Sequence, residues 1–181
     1  MASSILWRRL DRAGHEAFRV DEASGGWRLS GSAVFGGAEG QSRLQYAILT
    51  DALWRTLSAR VEGRVGERAI AIEIGADSSG RWSMNESPQP AVDGCIDLDL
   101  NFSPSTNMLP IRRLDLPVGG EAAVRAAWLR FPGFTLEPLE QTYRRTGEHA
   151  YRYESAGGFG VDLEVSPEGI VTRYPGFFEK S

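Results

Sequence analysis

The chain has 181 residues, 41% of them hydrophobic and 24% charged, with a formal net charge of -4. That is enough for one domain burying roughly 70% of its unfolded surface, too apolar for intrinsic disorder, and too acidic for the basic surface that non-specific nucleic-acid binding needs. No segment approaches the ~20 apolar residues of a membrane helix, so stable membrane insertion is not expected.

The first residues, Met1 to Arg12, lack the uninterrupted apolar core of a signal peptide. A single cysteine, Cys95, excludes an internal disulfide and a multi-cysteine metal site, and a reducing cytoplasm is the expected location. Lys180 is the only lysine, so nearly all cation is arginine, whose planar fork suits carboxylates and phosphates. A coding sequence rich in G and C explains that bias more simply than an anionic ligand does.

Strand-like runs separated by turn residues then follow one another along the chain. Ser24-Gly25-Gly26 precedes the run from Trp27 to Phe35, and Gly36 to Gly40 follows it. Leu44, Tyr46 and Ile48 share one face and Arg43 and Gln45 the other. Thr50-Asp51 turns the chain toward Arg55, and Trp54 is expected on the strand face of Thr56, Ser58 and Arg60, opposite Leu53, Leu57 and Val61. Val65-Gly66 ends that run. Ile70, Ile72 and Ile74 alternate with Ala69, Ala71 and Glu73 as far as the turn Asp77 to Gly80. Ile96, Leu98, Leu100 and Phe102 alternate with Cys95, Asp97, Asp99 and Asn101, the second set being expected on a wet face.

From Thr106 to Leu114 a Ser/Thr/Asn cluster suited to capping precedes Met108, Leu109, Ile111 and Leu114, and Pro110 limits the helix to a turn or two. Periodicity alone fits Glu121 to Arg130 to either element. Val124, Ala126 and Trp128 on one strand face, between Gly119-Gly120 and Pro132-Gly133, favour a strand. Val161, Leu163 and Val165 alternate with Asp162 and Glu164, and Pro167-Glu168-Gly169 turns the chain toward Ile170. About fourteen strands result. Strict alternation is the mark of an antiparallel sheet wet on one face, and so many edges need covering. The expected fold is mainly β: a long antiparallel sheet rolled like a barrel, with the helical break after Phe102 as its plug.

No catalytic or metal motif withstands inspection. Asp97, Asp99 and Asn101 resemble the start of a calcium loop, but Phe102 and Met108 stand where that loop needs Gly and Glu. His15 and His149 are too few and too separated for a metal, and no Gly-x-Ser-x-Gly elbow supplies a nucleophile. Carboxylate pairs such as Glu137 and Glu140 are what glycoside hydrolysis requires, but among 24 acidic residues some pair always looks suitable. Trp54 among small polar neighbours suits a cavity wall, ordinary packing or a subunit contact. Arg112 and Arg113 follow the plug, where one of them would meet an anionic group or else pair with Asp97, Asp99 or Asp115.

The segment Asp97-Leu-Asp-Leu-Asn-Phe-Ser-Pro-Ser-Thr-Asn-Met-Leu-Pro-Ile-Arg-Arg-Leu114 resembles the central signature of a bacterial glycolipid-binding family, formerly a domain of unknown function. Leu139 to Tyr143, Tyr151 to Ser155 and Gly169 to Gly176 agree with it. The resemblance implies a spiral β-roll around one helix and a homodimer. By likeness of shape to exported lipid carriers, it also implies binding of an amphipathic molecule, with glycolipid the candidate partner. Those carriers have export signals, and none is read here. The candidate ligand-binding residues are Trp54, Asn107, Arg112, Arg113 and Tyr143. No catalytic residue, metal or cofactor is expected. A hydrolase of sugar conjugates using acidic residues with His149 or Tyr143, and a structural dimer or partner-binding module, remain alternatives.

Overall fold

Alternation is realised in strand after strand. The computed structural model of the chain describes residues 3–181. Its strands are β1 (Ser3–Arg9), β2 (Gly14–Ala23), β3 (Gly26–Phe35), β4 (Ser42–Asp51), β5 (Thr56–Val65), β6 (Arg68–Ala76), β7 (Trp82–Met84), β8 (Ser87–Pro88) and β9 (Asp97–Leu100). After a helix, α1 (Met108–Leu114), come β10 (Glu121–Arg130), β11 (Thr135–Gly147), β12 (Ala150–Ser155), β13 (Phe159–Val165), β14 (Val171–Tyr174) and β15 (Phe178–Lys180).

All fifteen strands join one sheet, in the order β8-β7-β6-β5-β4-β3-β2-β1-β15-β14-β13-β12-β11-β10-β9. The first and last strands meet in mid-sheet, Trp7 opposite Lys180 and Arg9 opposite Phe178. Two meanders therefore run outward from that seam to edges at β8 and β9. The sheet curls without closing. Its β9 edge is tied back across the interior to the start of β5, where the Thr56 amide donates to the Ile96 carbonyl at 3.2 Å and the Leu98 amide to Thr56 Oγ1 at 3.1 Å.

Inward rows make the curl worth forming. Register aligns Val20, Leu29, Ile48, Ala59 and Ile74 across five strands, and all five are buried. Arg19, Arg28, Arg60 and Glu73, their neighbours in sequence, are exposed. Each fully buried Ile, Leu or Val stabilises the fold by about 1.5–3 kcal/mol, so a one-residue slip would turn the whole row to water. In the next row Phe18, Gly31, Tyr46, Val61 and Ile72 align. There the Tyr46 ring lies over Gly31, where a Cβ would come within 2.4 Å of it.

Inside the curl runs the plug. A 3-10 turn over Pro104–Asn107 leads directly into α1, and Ser103 caps it by accepting from the Ser105 amide at 3.1 Å. Pro104 to Ile111 are all buried. The plug also explains the one parallel pair in the sheet, β9 with β10, which departs from the wholly antiparallel expectation. A hairpin reverses direction, whereas a crossover through a helix delivers the next strand parallel.

The expected helix over Thr106 to Leu114 and the expected strand over Glu121 to Arg130 are both present. Two details differ. Asp97 and Asp99 are not on a wet face: the plug lies over β9, Arg113 reaching Asp97 and Gln141 of β11 reaching Asp99, which leaves Asp97 buried and Asp99 half-buried. Trp54 is not on a strand either. It lies in the turn between β4 and β5 with φ +65°, and a bulge beside Thr50 puts Thr56, Ala59 and Val61 inside while Leu57 is exposed.

Candidate functional site: two chambers at the ends of the roll

β1 runs from Ser3 to Arg9 and β3 from near Trp27 to Phe35. Ser3 and Trp27 line a cavity of about 250 Å³ at one end of the roll. Arg9 and Phe35 line one of about 630 Å³ at the other. The plug separates them, with Met108 and Arg112 facing the small chamber and Ser103 and Asn107 the large one.

The small chamber is lined by a pair of tryptophans. Trp27 and Trp54 stack with centroids 4.7 Å apart and 13° between planes, and the Arg112 guanidinium lies 5.2 Å from the Trp54 ring. Asp51 shapes the turn that places Trp54: its Oδ1 accepts from the Leu53 and Arg55 amides, each at 2.9 Å. Of the candidate residues, Trp54 and Arg112 thus come together here, at the mouth beside Pro167 and Glu168.

The large chamber is aromatic and polar at once. Trp128, Phe131, Tyr153, Phe159, Tyr174 and Phe177 wall it. At one side Arg9 sits between the rings of Phe35 and Phe178, 4.6 Å from each centroid, and donates to the Phe102 carbonyl at 2.9 Å. Arg9 also forks onto both oxygens of Asp11 at 3.0 Å, and Arg12 adds a bond at 2.8 Å. Burial works to raise the Asp11 carboxyl, but the two arginines win and hold it below its usual range. At the other side stands Asp99, which takes one hydrogen bond from Gln141 Nε2 at 2.6 Å. Burial pushes this carboxyl up to about 6, only partly offset by Gln141. Gln141 Nε2 also donates to the Tyr153 hydroxyl at 3.0 Å.

Beneath this chamber lies a buried acid. Glu16 Oε1 accepts from the Tyr46 and Ser103 hydroxyls, both at 2.5 Å, while Oε2 is buried with no partner. Burial raises Glu16 to about 7, against the opposing pull of Ser103, Tyr46 and the nearby Arg9.

The remaining candidate residues are engaged within the protein. Asn107 borders the large chamber, but its Oδ1 accepts from the Tyr143 hydroxyl at 2.8 Å and its Nδ2 donates to the Pro104 carbonyl at 3.1 Å. Tyr143 is buried behind it. Arg113 grips Asp97 through Nε at 3.0 Å and Nη2 at 2.5 Å, so the ion-pair alternative holds for this arginine. His149 lies at the surface beside Glu148. Among the described residues, no group of three or more His, Cys, Asp or Glu side chains is placed to hold a metal.

Sequence reasoning overlooked Arg9, Glu16 and Asp99 as site residues. Two of them carried a signal: Arg9 shares the inward parity of Trp7, and Glu16 that of Phe18 and Val20. A charged residue at an inward position is either functional or paired. Phe159 and Phe177, which flank turns, carried none.

Compared with known proteins, residues 4–180 match the family described as "Putative glycolipid-binding". The crystal structure of a DUF1089-family protein from Pseudomonas aeruginosa superposes with a TM-score of 0.83 at 30% identity, covering 92% of this chain and 91% of that one. No curated protein matches the chain.

Proposed function

The chain belongs to the glycolipid-binding family, and from that premise we propose that it binds an amphipathic molecule, such as a glycolipid, in the large end chamber. The observation that carries this reading is one cavity of about 630 Å³ combining an aromatic wall with polar groups of both signs. That volume falls within the ~300–1,000 Å³ typical of small-molecule sites. Ring faces accept either the apolar face of a sugar or an acyl chain, and Asp99 and Asn101 offer partners to hydroxyl groups. We further propose a homodimer, which would cover the exposed side chains of Leu49, Leu53, Leu57 and Ile96.

Native mass spectrometry of protein purified from its own host tests both parts. The expected result is twice the chain mass plus a ligand that organic solvent releases. Leu139→Trp, which adds bulk to the chamber wall, is expected to remove the ligand. Wild-type protein that carries no extra mass and takes up no added amphiphile would sink the binding reading.

A further inference from the structure

We propose that the large chamber selects a protonated amine: its ligand is an amphiphile whose headgroup carries an ammonium, as an amino sugar does, and Asp99 is the counter-charge. This deepens the reading of that chamber as the ligand site and rests on it.

The other charged side chains lining the chamber are already paired. Asp11 already holds Arg9 and Arg12. Asp97, two residues before Asp99 on β9, holds Arg113. Asp99 lines the cavity, and among the described residues no Arg, Lys or His forms an ion pair with it; its hydrogen bond comes from a neutral amide. A carboxylate removed from water without a counter-charge is costly. A ligand cation arriving at that oxygen relieves the cost, and a neutral hydroxyl does so only in part.

The rings around Asp99 act in the same direction. In the β9–β10 ladder Asp99 lies opposite Trp128. Tyr153, Phe159, Tyr174 and Phe177 form a mutually packed set with centroids 5.2–6.3 Å apart. The quadrupole of an aromatic face attracts an ammonium by about 0.5–2 kcal/mol, more as water is excluded. Trp128 has the Arg130 guanidinium 5.4 Å from its ring, and Arg130 is itself paired with Glu137. The rings left for a ligand are therefore the tyrosines and phenylalanines. Burial raises the Asp99 carboxyl, and an incoming cation would act the other way and favour its ionised form.

The test compares two probes of equal tail length, octylammonium and octyl glucoside, titrated at mildly alkaline pH below their micelle concentrations. Calorimetry reports binding. Wild-type protein is expected to bind the amine about tenfold more tightly than the glucoside, a difference of ~1.4 kcal/mol. Asp99→Asn, which keeps an acceptor for Gln141, should bring that ratio near one and change glucoside affinity by less than about threefold. Tyr174→Leu provides a second route, lowering the amine preference while leaving the carboxylate in place. Equal affinities in the wild type, or a preference that survives Asp99→Asn, would overturn the amine inference and leave the chamber as a binding site. Binding of neither probe would overturn both.

Discussion

The two ends of the roll both take wall residues from β1 and β3 yet are finished in opposite ways. At the small end the rings and the guanidinium face one another: Trp27 stacks on Trp54, and Arg112 covers Trp54. At the large end the rings turn toward a cavity, and two acids, Glu16 and Asp99, are left with oxygens that no cation matches. One end is packed for stability. The other keeps an unspent electrostatic cost, which is where a ligand gains most.

The largest expected effect comes from breaking the partition between the ends. Arg113 pins the plug to β9 through Asp97, a pair whose side chains are 16% and 1% exposed. Arg113→Ala leaves that carboxylate buried and unpaired and should cost about 3–5 kcal/mol, read as a lower urea midpoint. Adding Asp97→Asn to the same chain should recover much of it. A single variant as stable as wild type would refute the pin.

Next in size is the pH dependence set by the two upward-shifted acids at the large end, Glu16 and Asp99. With Glu16 raised from 4.5 to about 7, the folded chain keeps a proton that the unfolded chain has already lost in that window. Stability should therefore fall as pH rises from 4.5 to about 7, by about 3 kcal/mol, and level off above it. Asp99 adds a smaller decline of the same sign between 3.8 and about 6. Denaturant midpoints across the window should show the slope, and Glu16→Gln should flatten most of it. A wild-type profile that rises toward neutral pH would contradict the assignment.

Trp54→Leu sharpens the comparison from the other side. Losing the stack on Trp27 and the surface beneath Arg112 should cost about 2 kcal/mol and leave octyl-probe binding at the large end unchanged. If binding falls in step with stability, the plug does not insulate the chambers.

Much of this fold could be read directly from the chain. Ile70, Ile72 and Ile74 declare their own face, and flanking glycines and a proline settled Glu121 to Arg130 as a strand. The capping residues before Met108 marked the plug. The site was harder to read. Asp99 looked like a residue on a wet face because alternation says which residues share a face, never what lies beyond it. Trp54 was misplaced because it lies in the turn before β5 with a positive φ rather than on the strand, and the bulge that follows at Leu57 shifts the parity of Ser58 to Val61 relative to Thr56. Candidate residues chosen for chemical character were scattered, Trp54 and Arg112 to the small chamber, Asn107 to the large one, and Arg113 and Tyr143 to neither, since chemistry along a chain does not report adjacency in space.

By itself, then, the amino-acid order determined local geometry: where strands run, where they turn, which side chains share a face, and where a capped helical segment interrupts them. Those follow from short-range sterics and a period of two. Only the tertiary structure decided that β9 lies inside, that Arg113 is spent on Asp97, and that Asp99 faces an aromatic chamber without a cation. The reason is physical: the free energy of a charge depends on everything within several ångströms of it, and in a curled fifteen-stranded sheet those neighbours come from distant parts of the chain.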